Sequence, residues 1–156
     1  MLKVTLIACG QKMPGWVSEG AQHFAKHLQE YVHFTCIDIP LEKRTKTSVT
    51  HIMMQKEAQR IKAVIPSGAR LIALEVKGQI FTSEALAKKI NDLQLISSHL
   101  CFIIGGPDGI DSSLLAMTSE RWSLSSLTLP HTLVRVFFIE ALYRACSILH
   151  NSPYHR

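Results

Sequence analysis

The chain has 156 residues, 47% apolar and 19% charged, enough for one sizeable core and unlike the make-up of disordered or fibrous chains. Seventeen Lys and Arg against twelve Asp and Glu leave a formal charge of +5, which permits a polyanionic partner without demanding one. No run of apolar residues is long enough to span a bilayer, and the cysteines Cys9, Cys36, Cys101 and Cys146 include no CxxC pair, which argues against a membrane anchor, a disulfide framework and a zinc site.

In chain order, residues 4–9 form a predicted strand closed by Gly10, and a helix follows over about 14–30, with Pro14 suited to its first turn. The opening Met-Leu-Lys-Val-Thr starts that strand rather than a signal peptide. Residues 34–39 are a second strand ended by Pro40. The polar stretch 42–47 is a loop leading to a helix near 49–64. A third strand over 70–76 precedes a helix over 83–95 capped by Thr82 or Ser83. Residues 100–104 form a fourth strand running into Gly105-Gly106-Pro107-Asp108-Gly109. Asp111 caps a short helix through about 119. A brief fifth strand at 122–124, a loop over 125–130, a last helix over about 131–149 and a tail from 150 complete the chain.

This alternation predicts a single α/β domain over 1–156, with a mostly parallel sheet covered by helices on both faces. Each cysteine sits in an apolar run, so four reduced core thiols in a cytosolic protein are expected. Ligands of such sheets bind at the carboxyl ends of the strands, here 74–78, 105–109 and 124–129. The last helix carries apolar residues in nearly every direction, from Leu133 and Val134 to Ile148 and Leu149. That pattern predicts burial on most sides, most economically against a second copy of the chain. Glu140 and Arg144, acid first at i,i+4, are placed to pair.

Three segments could carry chemistry. Adjacent glycines after the fourth strand let backbone approach a ligand, although a tight turn accounts for them as well; they match neither GxGxxG nor GxxxxGK[ST]. The loop Leu124-Ser125-Ser126-Leu127-Thr128-Leu129 is unusually apolar and suits either an adenine slot or a buried connection. The tail His150-Asn151-Ser152-Pro153-Tyr154-His155-Arg156 combines aromatic, imidazole and guanidinium groups fit for RNA, yet termini are usually frayed. His23 and His27, four apart, lack the remaining groups of a metal motif. Lys43, Arg44 and Lys46 read as solvated loop charge, with RNA phosphate contact as the alternative.

Together the segments 74–78, 104–109 and 123–131, then Arg135, 140–145 and 153–156, resemble the RlmH family of large-subunit ribosomal RNA methyltransferases, of the SPOUT class. The resemblance spans essentially the whole chain and is most specific over its last forty or so residues. It implies an α/β fold with a C-terminal trefoil knot, a homodimer joined through the last helix, and S-adenosylmethionine as cofactor. By the same resemblance Leu74, Gly105, Gly106, Leu124, Ser125, Ser126, Leu127, Thr128 and Leu129 map to the cofactor pocket. The implied reaction is methylation of N3 of a pseudouridine in 23S rRNA within assembled ribosomes, with no metal and no membrane. That chemistry needs a base and a cation. His155, then His131, are candidates for the base, Arg144 held by Glu140 for the cation, Tyr154 for stacking on the target base, and Arg156, Tyr154 and Arg135 for RNA contact. The alternatives are a non-catalytic RNA- or ribosome-binding protein of the same fold, a SPOUT enzyme acting on transfer RNA, and a flavodoxin-like nucleotide binder.

Overall fold

A computed structural model describes residues 1–10 and 12–156. Five strands, β1 (Lys3–Cys9), β2 (His33–Ile39), β3 (Arg70–Ile80), β4 (His99–Ile104) and β5 (Glu120–Ser123), form one parallel sheet in the order β2-β1-β4-β3-β5. The helices are α1 (Gly15–Leu28), α2 (Thr50–Val64), α3 (Ser83–Gln94), α4 (Ser112–Leu115) and α5 (His131–Leu149), and the chain ends in a 3-10 turn over Pro153–His155. The expected α/β architecture is therefore present.

Strand alternation sorts the core into two layers. Val4, Leu6, Leu100, Phe102 and Ile104 face α1, α3 and α5, whereas Ile7, Cys9, Cys101 and Ile103 face α2 and α4. The central strands β1 and β4 are buried on both sides, as a parallel sheet under helices requires. Three thiols follow that pattern: burial pushes Cys9, Cys101 and Cys146 up to about 12. Cys36 is raised less, to about 11, and stands on the edge strand β2 with an exposed surface, so the expectation of four core thiols is corrected to three.

The cap predictions divide. Thr82 accepts a hydrogen bond from the Ala85 amide at 3.1 Å, and Asp111 caps α4 by accepting from Ser113 N at 3.0 Å. Pro14 lies at the N-cap of α1, one residue ahead of its first turn. The helix after Asp111 stops at Leu115 rather than near 119, because Ser119 already donates to the Leu71 carbonyl and β5 begins at Glu120.

The largest departure concerns β3. It runs to Ile80, and its pairing with β5 shifts register between Leu74 and Gln79, both of which pair with Trp122. The residues between them bulge out of the ladder. Gly78 makes the return possible: a Cβ there would lie 2.6 Å from the backbone of Arg121 and Trp122.

The all-round apolarity of α5 has a cause inside the chain. The helix packs against α1, α3 and the sheet, so Phe138, Ile139, Leu142, Ala145 and Cys146 are buried without a second copy. Phe137 remains 40% exposed. A second copy is therefore not needed to account for the apolar circumference of this helix.

Candidate active site

The carboxyl ends of β3, β4 and β5 enclose a cleft of about 680 Å³, a size that accommodates a nucleoside-scale ligand. Each wall has a local origin. The β3 bulge supplies Leu74, Glu75, Val76 and Lys77, and the turn after β4 supplies Ile104 and residues 105–110. Leu124, Ser125, Leu127, Thr128 and Leu129 come from the loop after β5, and His131 with Val134 from the first turn of α5.

The glycine turn is compact. Gly106 and Gly109 form an isolated bridge, Gly109 N donates to Gly106 O at 3.0 Å, and Gly109 has φ of +90°. A Cβ on Gly105 would come within 2.6 Å of the Gly109 carbonyl group, so no larger residue fits where backbone lines the cleft. The deep wall is Trp122, fully buried between Phe81 and Phe102 at ring separations of 5.1 and 5.2 Å. Its indole N–H donates to Glu120 at 3.1 Å.

Of the residues assigned from sequence to the pocket, Leu74, Gly105, Gly106, Leu124, Ser125, Leu127, Thr128 and Leu129 line it, and Ser126 does not. Ser126 is exposed at the middle of a turn in which Ser125 Oγ accepts from Leu127 N at 2.9 Å. Glu75–Lys77, expected at a strand end, line the cleft from a bulge within the longer β3; sequence reasoning missed Trp122 as the backing, because its place depends on pairing between β3 and β5.

His131 lies at the mouth of the cleft. Burial lowers its pKa, and Arg135 and Arg44 lower it further, which favours the neutral imidazole near pH 7. The other candidate catalytic groups are elsewhere. Arg144 donates to Glu140 Oε1 from Nε and Nη2 at 3.0 and 2.7 Å, and Tyr154 donates its O–H to the same oxygen at 3.0 Å. The Arg144 guanidinium lies 4.9 Å from the centre of the Tyr154 ring, which packs edge-on against Tyr143 at 4.3 Å. Nδ1 of His155 is buried and makes no hydrogen bond to another described residue.

None of Glu140, Arg144, Tyr154 and His155 lines the cleft. Arg144 is about 20 Å of helix rise beyond His131. The neighbouring His150 ring stacks on Tyr31, 4.6 Å away and just before the start of β2, so the tail belongs to the amino edge of the sheet. Pocket and tail cluster occupy opposite ends of one chain.

The family model described as "Predicted SPOUT methyltransferase" matches residues 2–155. The chain belongs to the SPOUT methyltransferase family. It is similar to proteins named "Ribosomal RNA large subunit methyltransferase H" from three bacteria. That of Legionella pneumophila (strain Paris) is 51% identical over 156 residues, the whole of both chains. That of Saccharophagus degradans is 45% identical over 155 residues, 99% of this chain and all of the relative. That of Hydrogenovibrio crunogenus is 42% identical over 155 residues, 99% of each.

Within this SPOUT chain, Arg135 needs correction. Expected at an RNA surface, it is only 5% exposed, donates to the Gly10 carbonyl at 2.9 Å and is paired with Asp38. A buried guanidinium so engaged ties the start of α5 to the ends of β1 and β2. His23 and His27 pack edge to face with one another at 5.2 Å, and His27 meets Tyr143. No group of three metal-ligating side chains occurs among the described residues, nor any helix long and apolar enough to cross a membrane.

Proposed function

We propose that this SPOUT protein is a single-domain enzyme that methylates N3 of a pseudouridine in 23S rRNA on assembled ribosomes, with S-adenosylmethionine as donor and a homodimer as the working unit. The observation that carries this reading is the cleft at three strand ends, in a chain matched end to end by relatives named for large-subunit rRNA methylation.

The cleft suits such a donor. Leu74, Leu124 and Leu129 give an apolar slot for an adenine ring, and the backbone at 105–109 admits close approach of its polar edge. S-adenosylmethionine, when bound, supplies a methyl group that is already strongly electrophilic. The protein's share is therefore alignment and proton management. N3–H of the base must be deprotonated, and negative charge then spreads onto the flanking carbonyl oxygens. His155 accepts the proton or orients the base, with His131 as the second candidate; Arg144, fixed by Glu140, faces the developing charge. Tyr154 stacks on the base and Arg156 grips phosphate.

Because the tail cannot reach its own cleft, residues 154–156 of one subunit complete the pocket of the other. Exposed Leu127 and Phe137 supply apolar surface for that union, and the C-terminal threading of the family holds the loops around the donor. The test is a transfer assay with labelled S-adenosylmethionine on free rRNA, separate subunits and whole ribosomes, followed by mapping of the modified base. Label at N3 of a pseudouridine of 23S rRNA, strongest on ribosomes, is expected. Label confined to transfer RNA, or no label with any RNA, refutes the proposal.

A further inference from the structure

The basic stretch 42–47 is not uniformly solvated. Lys43 and Lys46 are exposed, but Arg44 turns inward. Its guanidinium engages both carboxylate oxygens of Glu57, with the Nη2 contact at 3.0 Å, and Nη1 also donates to the Glu42 carbonyl at 3.0 Å. From its other side, Nε donates to Asp108 Oδ2 at 3.1 Å. Glu57, on α2, is 3% exposed and accepts the Glu42 amide at 3.0 Å as well. Gly106 lies directly over this pair: a Cβ there would stand 3.2 Å from Glu57 Oε1 and 2.8 Å from Leu41 Cδ2. The glycine turn of the cleft is thus seated on an ion pair whose cation comes from the basic loop.

A buried carboxylate beside Ala58 and Ile61 brings little stability, since an apolar pair of similar size commonly serves as well. Its value is geometric. A planar guanidinium can grip one carboxylate two-handed and hold a second with its remaining N–H, which an ammonium cannot do. We infer that Arg44, locked by Glu57, is a positioning residue of the donor pocket. It fixes Asp108 and the 105–109 turn, and it links donor binding to the loop that carries exposed Lys43 and Lys46, cations open to RNA phosphate. The inference rests on the reading of that turn as the donor's site. Coupling of this kind is reciprocal: what steadies the loop tightens the pocket, and the converse.

With S-adenosylmethionine as the probe, Arg44→Lys is expected to raise its Kd and KM about tenfold, while kcat at saturating donor changes by less than about twofold. Because removing one partner of a buried pair endangers folding, Arg44→Met with Glu57→Met removes both charges together. A cooperative melt near that of wild type, with the same tenfold loss, is expected. A double-mutant cycle then separates positioning from general loosening: Asp108→Asn adds nothing in the Arg44→Lys background if Arg44 acts through Asp108. A folded Met/Met variant that binds the donor like wild type overturns the inference, and so do losses from Arg44→Lys and Asp108→Asn that multiply independently. Wild-type protein that ignores the donor altogether would sink the functional reading first, and this inference with it.

Discussion

The cleft and the tail cluster teach different things about how one short chain builds a site. The cleft is finished within the chain: three strand ends meet, a buried tryptophan backs them, and glycines set the turn. The tail cluster is equally well made, with Glu140 gathering Arg144 and Tyr154, yet it stands at the other edge of the sheet. Binding can be completed by folding alone, whereas the proposed chemistry requires association. In the proposed homodimer a chain of this length gains from that division, since a single core carries both halves and symmetry would join them twice.

The largest test of the contrast removes residues 154–156. Methyl transfer is expected to fall by about a thousandfold or more, while donor Kd by calorimetry stays within about threefold. Mixing this protein with Leu124→Asp, which damages only the cleft, should restore about a quarter of wild-type activity through mixed dimers with one intact site. No recovery would place tail and cleft in the same subunit. Arg144→Ala comes next, with kcat reduced about a hundredfold and donor affinity preserved. Leu124→Asp alone should weaken donor binding about tenfold or more, by placing a charge in an apolar slot; unchanged affinity would move the donor elsewhere.

The smallest effect concerns pH. Burial lowers His131, with Arg135 and Arg44 adding to it, and burial lowers His99 as well. The folded values lie below the unfolded one, so the unfolded chain binds more protons in acid. The corresponding stability is complete above about pH 6.5 and is lost as pH falls through the folded values. Denaturant titrations from pH 7.5 to 5 should show His131→Gln losing less stability than wild type, by well under about 1 kcal/mol after solvent screening. Parallel curves would remove His131 from the account.

Much of this was legible in the residues. Alternating apolar runs announced the parallel sheet, and Asp111 and Thr82 marked their helices. The segments 74–78, 105–109 and 124–129 were expected at strand ends, where such sheets bind ligands, and most of their residues line the cleft. What escaped depends on partners far away in sequence. The β3 bulge exists because Leu74 and Gln79 share Trp122. Arg135 looked like a surface cation until Asp38, 97 residues away, enclosed it, and Arg44 looked solvated until Glu57 and Asp108 did the same. Cys36 resembled the other thiols because an edge strand and a central strand share one local pattern. The apolar circumference of α5 was read correctly as burial, and nothing local says that α1 and α3 supply much of it.

The doubled pairing of Trp122 has a consequence for how this scaffold tolerates change. Surface connections usually absorb insertions freely, but residues 75–78 are pinned at both ends to the same indole-bearing position. A change in their number alters the span that must close on Trp122 before the Gln79–Trp122 and Ile80–Ser123 pairs can form. This rim of the cleft is held at its far end by Gly78, which admits no side chain, and by a shared partner at Trp122, a tighter constraint than its position at the surface suggests.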